Sequence, residues 1–533
     1  MPKPYEPLSA PHRQGASIDR RIVLSALAGG VALIGAPSII RAQQLFTAYP
    51  FRLGVAAGDP LPDGFVIWTR LAPDPLDDHG GMPIATVAVD WEVAADDGFR
   101  TIAAKGSALA RPELAHSVHV EVTGLQPGRP YWYRFHVGRE RSIAGRARTL
   151  PAIGSAVERS RFGVAGCQNY EDGLYTAYRH LAEEDVDFVF HYGDYIYEGR
   201  SAPVPMGYDG KPRAFVRAHD GQLLMDLFDY RRRYAQYKLD PDLQAAHASA
   251  AWFATFDDHE VENNWVGEID QNDTPPEIFA LRRAAAFQAY YEHMPFRRVS
   301  FPGPDGMHIY RRAAIGNLVD LHLLDTRQFR TDQPCGDGFK PYCAGWDDSK
   351  AQVMGSTQEA WLSRNLRDRS ARWNAIAQQV MVMPLDRRTG NDEPGPVRNM
   401  DSWGGYNAPR ERFLKSLRGL GNAVVLTGDE HQNFAGELRS DNGKGEAVAV
   451  EFVGTSISSG GDGAVLRKGA ERIRANNPFL AYSNDHRGYL ICDVTADRWT
   501  TSFRTVDRVS VPDVPVTTAA TLTVEHGRVA LVT

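Results

Sequence analysis

The sequence is poor in cysteine, has no excess of positive charge and contains almost no long uninterrupted apolar segment. Four cysteines in 533 residues cannot staple a fold of this size, so its stability must come mainly from a hydrophobic core. Basic residues number 59 against 66 acidic residues, which provides no basic surface able to neutralise a nucleic acid backbone. We therefore expect no nucleic acid as a structural partner. Hydrophobic residues make up 43% of the chain, which excludes a disordered polypeptide and predicts two or more globular domains.

The apolar segment that does exist lies near the N-terminus, within residues 1–42. Arg20 and Arg21 precede a moderately hydrophobic run at 22–40 that several glycines and one proline interrupt. This pattern predicts a twin-arginine (Tat) signal peptide that is cleaved near Gln43, with an uncleaved membrane anchor as the alternative. We therefore expect the Tat export machinery as a partner, and a periplasmic or secreted protein whose mature chain has no stable membrane span.

Residues 46–150 predict an all-β domain. Apolar side chains alternate with polar ones at 118–122 and again at 131–137, and the turn sequence Gly-Leu-Gln-Pro-Gly at 124–128 separates the two runs. Alternation with a period of two on both sides of a turn predicts a hairpin within a β-sandwich. The small-residue connector at 151–156 is the predicted domain boundary.

A second domain is predicted over residues 160–533. A short apolar strand at 161–166 is followed by apolar residues at helical spacing in 174–181 and by a second strand at 186–190. This order is typical of a βαβ unit with parallel strands, which places the chain in the α/β or α+β class. Parallel strands bring their carboxyl ends to one edge of a sheet, and sites in such sheets form beyond that edge.

Four apolar strands of this region end in residues that can bind metal ions. Cys167 follows the first strand, and carboxylate, tyrosine, histidine or asparagine side chains follow the others in the segments 191–198, 257–265 and 428–433. One carboxylate after a strand is an ordinary turn residue, but four such clusters at equivalent strand ends are not explained by turns alone. They predict a metal site.

The four clusters resemble the motifs of the PhoD-like (alkaline phosphatase D) family of metallophosphoesterases. The matching sequences are Gly-Cys-Gln at 166–168, Gly-Asp-Tyr-Ile-Tyr-Glu at 193–198, Asp-Asp-His-Glu-Val-Glu-Asn-Asn at 257–264 and Gly-Asp-Glu-His-Gln-Asn at 428–433. The resemblance extends to the leader and the β-domain. It implies a metallophosphatase-type sandwich of β-sheets flanked by helices, and an exported, metal-dependent alkaline phosphatase or phosphodiesterase that hydrolyses phosphate mono- or diesters.

The resemblance also implies a centre of Fe(III) and Ca(II), with a metal-bound hydroxide as the nucleophile. Thiolate and phenolate are anionic donors that suit a trivalent iron, whereas carboxylate and amide oxygens suit calcium. In this scheme Asp194 bridges the two ions. The implied metal ligands are Cys167, Asp194, Tyr197, Asn263, Asn264, Asp429 and His431.

Two ligand positions have alternatives in the sequence. Tyr192 and Tyr195 are as close to the second strand as Tyr197, and only the family motif selects Tyr197. Either Asn263 or Asn264 would bind calcium, and the motif does not choose between them.

Two histidines and one arginine are candidates for direct roles in catalysis. His431 or His259 could donate a proton to the leaving oxygen, or either could only bind or support a metal. Arg327 could contact the substrate phosphate, with an ion pair to Asp325 or another neighbour as the alternative.

The remaining cysteines and one pair of aspartates are predicted to have structural roles. Asp257 and Asp258 are adjacent, so we expect at least one to be structural, because neighbouring side chains rarely reach one site together. Cys335 and Cys343 lie in a loop rich in glycine and proline, and in an exported chain this arrangement favours a local disulfide over two free thiols. Cys492, inside an apolar strand, is predicted to be a core thiol.

Two other functions are compatible with the same motifs. One is a phosphodiesterase of the phospholipase D type within the same family. The other is a non-catalytic binder of phosphate or phospholipid in the cell envelope. The presence of Cys167, Asp194, Asp429 and His431 favours an enzyme.

Overall fold

The computed structural model describes residues 46, 48–201, 214–368, 371–388 and 395–532. The predicted signal peptide therefore lies outside the described residues. Within these ranges, no helix combines the length and the apolar character that a membrane crossing requires.

The N-terminal strands belong to two different sheets. They are β1 (Val55–Leu61), β2 (Gly64–Arg70), β3 (Val87–Ala94), β4 (Ile102–Ala110), β5 (Ser117–Val122), β6 (Pro130–Val137), β7 (Glu140–Arg141) and β8 (Gly145–Arg148). One sheet contains β3, β4, β6, β7 and β8, whereas β1, β2 and β5 join a larger sheet. Apolar side chains from both sheets, among them Phe65 and Tyr133, form one core. The predicted all-β region is confirmed, and its two sheets pack face to face.

The prediction that the two alternating runs, now β5 and β6, form a hairpin is wrong. The strand β5 pairs with β2, and β6 pairs with β3 in the other sheet. The turn at 124–128 therefore carries the chain from one sheet to the other. Alternation marks the buried face of each strand correctly, but it does not specify the partner strand.

The rest of the chain adds sixteen strands and eight α-helices within the described residues. The strands are β9 (Arg159–Ala165), β10 (Phe188–His191), β11 (Ala251–Ala254), β12 (Arg311–Ile315), β13 (Val319–Leu323), β14 (Phe339–Pro341), β15 (Trp373–Ala377), β16 (Val397–Asn399), β17 (Ala423–Thr427), β18 (Asn433–Arg439), β19 (Ala447–Val453), β20 (Leu480–Asn484), β21 (Arg487–Thr495), β22 (Arg498–Val506), β23 (Val516–Glu525) and β24 (Leu531–Val532). The helices are α1 (Thr176–Ala182), α2 (Leu227–Lys238), α3 (Pro241–Ser249), α4 (Pro276–His293), α5 (Gly355–Leu366), α6 (Asn407–Leu417), the single turn α7 (Ser440–Gly443) and α8 (Ala470–Asn476).

Two large sheets form the centre of the protein. The first has the strand order β24-β23-β22-β21-β9-β10-β11-β1-β2-β5, and the second has the order β12-β13-β15-β17-β19-β18-β20. Their facing sides share a core that includes Phe162, Phe190, Val424 and Phe452. Helices α1–α4 pack on the outer face of the first sheet, and α5 and α6 pack on the outer face of the second. The prediction of β-sheets flanked by helices is confirmed.

The first sheet runs through both predicted domains. The strand β1 pairs in parallel with β11, with Ala57 opposite Ala251 and Gly58 opposite Trp252. A Cβ atom on Gly58 would lie 2.4 Å from the carbonyl oxygen of Pro295, so only glycine permits this close approach. The predicted boundary at 151–156 therefore separates segments of the chain, but the sheet continues across it.

Candidate metal centre

The candidate ligands lie where the two large sheets meet. Cys167, Asp194 and Asp257 follow β9, β10 and β11 of the first sheet, and Asp429 follows β17 of the second. The strands β9, β10 and β11 are parallel neighbours, so their carboxyl ends lie side by side. The four ligand clusters were expected at equivalent strand ends. Three of these ends belong to the first sheet and one to the second, so residues from both sheets form the site.

The backbone at these positions adopts left-handed conformations. Cys167 has φ +52°, Asp194 +56°, Asp429 +67° and His431 +51°. A side chain other than glycine in this region costs about 1 kcal/mol or more. Such conformations concentrate at functional sites, where the surrounding fold enforces them.

Three overlapping groups of side chains could each hold a metal ion, and within each group the ligand atoms lie within 4.8 Å of one another. Asp194 belongs to all three, which fits the bridging position predicted for it. The groups are Cys167, Asp194 and His431; Asp194, Asp258 and His259; and Asp194, Asp257, Asp258 and Asp429.

Asp257 and Asp258 both reach the centre, contrary to the expectation for adjacent side chains. Each has its own anchor that directs it there. Asp257 accepts a hydrogen bond from Nε of Arg327 at 2.6 Å, and Asp258 accepts one from the backbone N–H of Asn264 at 2.8 Å. Asp257 also has the structural role expected for one member of the pair, because it forms a buried ion pair.

Tyr197 is the tyrosine that faces the cluster. Its hydroxyl donates to Oδ2 of Asp194 at 3.0 Å and lies 3.1 Å from Nε2 of His431. The hydroxyl of Tyr192 donates to the carbonyl of Thr455 instead, and that of Tyr195 lies 2.8 Å from His247. These contacts support the choice of Tyr197 that the family motif made.

The two asparagines are connected to the cluster mainly through their backbone. The side-chain amide of Asn263 donates to Gln271 at 2.8 Å, and its backbone N–H donates to Glu198 at 2.8 Å. The side-chain amide of Asn264 donates to Asp337 at 2.6 Å. Which asparagine binds calcium stays a prediction.

Arg327 is fully buried and its guanidinium faces carboxylates. It contacts Asp257 at 2.6 Å, Asp401 at 2.8 Å and Asp258 at 3.4 Å. Of the predicted alternatives, the geometry supports the ion pair with neighbours. Asp325 is not the ionic partner, since its carboxylate accepts the backbone N–H of Arg327 at 2.9 Å. The contact of Arg327 with phosphate stays a prediction, and the ion pairs hold these three carboxylates.

Glu260 is a functional residue that the sequence analysis missed. Its Oε2 accepts the backbone N–H groups of Asp194 at 3.1 Å and Asp257 at 2.9 Å, and its Oε1 accepts that of Tyr195 at 2.7 Å. One buried carboxylate thus ties the loop after β10 to the loop after β11. The only sequence signal was its place inside the Asp-Asp-His-Glu motif.

The electrostatics of the cluster indicate a missing positive charge. Burial raises the pKa of Asp194 to about 7, with the nearby Asp258 adding to the effect. Burial likewise raises the pKa of Asp257 to about 8 and the pKa values of Asp429 and Cys167 well above their usual range. Oδ1 of Asp194 has no hydrogen-bond partner among the described residues. Buried acceptors of this kind are costly unless a cation compensates them, so the donor set fits bound metal ions.

The two candidate histidines differ in their charge. Burial opposes the charged form of His259, but the neighbouring carboxylates of Glu198, Asp258 and Asp194 outweigh it and raise the pKa of His259 well above its usual range. Nδ1 of His259 lies 2.7 Å from Glu198. Burial, with Arg487 adding to it, lowers the pKa of His431 to about 3. Without bound ions, the carboxylates thus favour a protonated His259, and burial favours a neutral His431. Which histidine donates a proton and which binds a metal stays a prediction.

The predictions for the other cysteines are confirmed. Cys335 and Cys343 form a disulfide. Cys492 is a buried free thiol in the core between the sheets. The disulfide loop reaches the centre through Asp337, the residue that holds the side chain of Asn264.

Comparisons with known proteins agree with this geometry. The profile described as PhoD-like phosphatase matches residues 162–503, and that of the PhoD-like phosphatase N-terminal domain matches residues 36–151. Alkaline phosphatase D of Bacillus subtilis (strain 168) is 46% identical over 497 residues, which cover 92% of this chain and 84% of that protein.

Two solved structures are similar to this chain, to different degrees. A structure titled "Structure of PhoD" matches with a TM-score of 0.87 and 46% identity, over 91% of this chain and 92% of the other. The purple acid phosphatase PPD1 from yellow lupin (Lupinus luteus) seeds matches with a TM-score of 0.51 and 11% identity, over 88% of this chain and 74% of the other. The second match shows a shared fold alone. From the profiles, the identity over most of its length and the architecture, the chain belongs to the PhoD-like phosphatase family.

Proposed function

We propose that the chain is an exported metal-dependent phosphatase or phosphodiesterase that uses iron and calcium. Its homology to alkaline phosphatase D makes it a phosphoric ester hydrolase. The observation that carries the proposal is the convergence of a thiol, a phenol and several carboxylates on Asp194. Bound cations would supply charge neutralisation for the substrate phosphate and would acidify a water molecule.

The donor types divide the cluster between the two proposed ions. Cys167, Tyr197 and His431 surround one side of Asp194, and a thiolate with a phenolate suits ferric iron. Asp258 and Asp429 share another group with Asp194, the backbone of Asn264 is bonded to Asp258, and carboxylate and amide oxygens suit calcium. Burial and the nearby carboxylates raise the pKa of Cys167 well above its usual range, so this thiol loses its proton readily only beside a cation.

His259 is the proposed proton donor to the leaving group. Its ring stacks on Tyr197 with the ring centroids 4.1 Å apart, and Glu198 fixes its orientation. A protonated imidazole at the rim of the cluster can neutralise the oxygen that leaves phosphorus. Arg327 keeps Asp257 and Asp258 in place from behind the site.

Export belongs to the same proposal. The twin arginines ahead of residues 22–40 support a Tat signal peptide over 1–42, and a disulfide is typical of compartments outside the cytoplasm. We propose a periplasmic or secreted enzyme with a β-domain at 46–150 and a catalytic domain at 160–533.

The test is metal analysis and turnover on one preparation that is purified without chelator. We expect iron and calcium in the protein, a visible colour from phenolate bound to iron, loss of turnover with a calcium chelator and recovery when calcium is added. A colourless, iron-free and active protein would contradict the iron assignment. A chromogenic monoester, a chromogenic diester and phosphatidylcholine, assayed side by side, separate the phosphatase, phosphodiesterase and phospholipase D activities, and no turnover of any of them would leave only the binding function.

A further inference from the structure

Ser459 touches two of the proposed iron ligands at once. Its hydroxyl oxygen lies 2.7 Å from the hydroxyl oxygen of Tyr197 and 2.7 Å from the carbonyl oxygen of Cys167. The side chain is only 1% exposed. It lies in the Ser/Gly-rich segment that follows β19, outside all four metal-binding motifs.

Several hydrogen bonds hold Ser459 in this place. Its hydroxyl accepts the backbone N–H of Asn169 at 2.9 Å. Its carbonyl accepts hydrogen bonds from Oγ of Ser456 at 2.6 Å and from Nη1 of Arg487 at 2.9 Å. The same guanidinium nitrogen donates to the carbonyl of His431 at 2.6 Å. The position of Ser459 is thus coupled to the loops that carry Cys167 and His431.

The hydroxyl of Ser459 has two acceptors within hydrogen-bond distance. Ser459 has one O–H proton, and a lone pair is already used by the N–H of Asn169, so the proton points to Tyr197 or to the Cys167 carbonyl. In the structure the Tyr197 hydroxyl donates its own proton to Asp194. Once Tyr197 binds a cation as a phenolate, its oxygen has no proton and can only accept. A hydrogen bond to an anionic oxygen is stronger than one to a neutral carbonyl, so the serine proton turns to Tyr197.

We propose that Ser459 is a positioning residue that donates a hydrogen bond to the Tyr197 phenolate and thereby sets its donor strength toward iron. The inference rests on the proposed iron site. A hydrogen bond withdraws electron density from the phenolate oxygen, which raises the energy of charge transfer from phenolate to ferric iron. The bond also fixes the ring orientation in which Tyr197 meets the metal.

The test is the visible spectrum of the iron-loaded Ser459→Ala variant. We expect the charge-transfer band to move to longer wavelength and the affinity for iron to fall about ten- to a hundredfold in competition with a chelator. Ser459→Thr keeps the hydroxyl and should restore the wild-type band. Ser459→Cys replaces it with the weak S–H donor at similar size and should shift the band in the same direction as alanine, which keeps the test available if the alanine variant does not fold.

Ser458→Ala is the matched control. The Ser458 hydroxyl is buried in the same loop and donates its proton to the carbonyl of Asn169 at 2.7 Å, so its loss should leave the band in place. A coloured wild-type protein whose band stays unchanged in both Ser459→Ala and Ser459→Cys would overturn the inference and leave the proposed function intact. A colourless, iron-free wild-type protein would overturn the iron assignment and the inference with it.

Discussion

Asp194 is the residue on which the three candidate metal groups depend. It combines a left-handed backbone, an unpartnered buried carboxylate oxygen and hydrogen bonds that fix its loop through Glu260. A residue in a turn alone can share the left-handed backbone, but it would not need the buried unpartnered oxygen. Its substitution therefore separates chemistry from folding better than that of any peripheral ligand.

In Asp194→Asn we expect metal content and kcat to fall together. The amide keeps the size of the side chain but removes the charge that compensates two cations, which costs a hundredfold or more in rate, on the order of 3 kcal/mol. Iron and calcium per chain, thermal unfolding and ester hydrolysis are measured on one preparation. Asp187→Asn is the control, because Asp187 lies just before β10, at the opposite end of the same strand. Near-normal turnover in folded Asp194→Asn would contradict the bridging role.

Glu260 is predicted to support both the stability of the fold and the binding of metal. In Glu260→Gln one oxygen is replaced by an N–H₂ group, so at least one of the three backbone N–H groups loses its acceptor. We expect a loss of about 1–3 kcal/mol in unfolding free energy and about ten- to a hundredfold weaker metal binding. Urea unfolding and chelator competition measure the two effects. Glu437→Gln is the control, because it alters a partly exposed ion pair with Arg439 and should change stability and metal affinity much less. Equal losses of stability and metal affinity in the two variants would refute the role of Glu260.

At the scale of elements, the end of α2 is buried against the N-terminal strands. Nζ of Lys238 lies 4.3 Å from the ring centroid of Trp68 in β2 and 5.2 Å from that of Tyr195. The side chain is 2% exposed, and burial lowers the pKa of Lys238 to about 7. The unfolded chain has the ordinary lysine pKa of about 10.4. Between these two values the unfolded state binds more protons than the folded state.

Stability should therefore rise with pH from about 7 to about 10, by up to roughly 1.4 kcal/mol per pH unit. Below the lower value both states are protonated and the cost of the buried charge is fully present. We expect the wild-type protein to gain more stability between these pH values than Lys238→Met, which lacks the titrating group. Urea unfolding of both proteins at each pH measures the difference. Parallel pH profiles would show that Lys238 is charged in the folded protein.

At the scale of the whole molecule, the N-terminal region is part of the catalytic architecture. The strand β1 completes the first sheet beside β11, and the loop after β11 carries Asp257 and Asp258. The indole of Trp68 donates to the carbonyl of Glu292 at 2.9 Å, and Arg70 lies 2.8 Å from His293. These contacts join β2 to the end of α4 in the core.

We expect a chain of residues 152–533 not to fold on its own. Removal of the N-terminal region would expose the edge of β11 and the apolar face beneath β1 and β2, and an exposed edge strand promotes aggregation. The full chain should unfold in one cooperative transition. Solubility, circular dichroism and calorimetry of both chains test this expectation. A soluble 152–533 chain with a sharp unfolding transition would contradict it.

Local sequence predicted what depends on neighbouring residues. Period-two alternation identified β5 and β6, and the strand-helix-strand pattern at 161–190 identified the parallel pair β9 and β10. Short turns after apolar strands marked Cys167 and Asp194 as candidates. The spacing of Cys335 and Cys343 indicated their disulfide. In each case the relevant partners lie close in sequence or follow one repeated pattern.

Only the tertiary structure decided which strands pair and which distant groups hold the centre together. The pairing of β5 with β2, the place of β17 in the second sheet and the contacts of Glu260 and Ser459 join segments far apart in the chain. Alternation specifies which face of a strand is buried, but many strands satisfy it equally well as partners. A buried polar side chain finds its acceptors only when the loops around it are brought together, so its role leaves no mark in the local pattern. The sequence by itself thus determined the class of fold and the residue types of the candidate ligands, and the packing of the two sheets decided how those candidates meet.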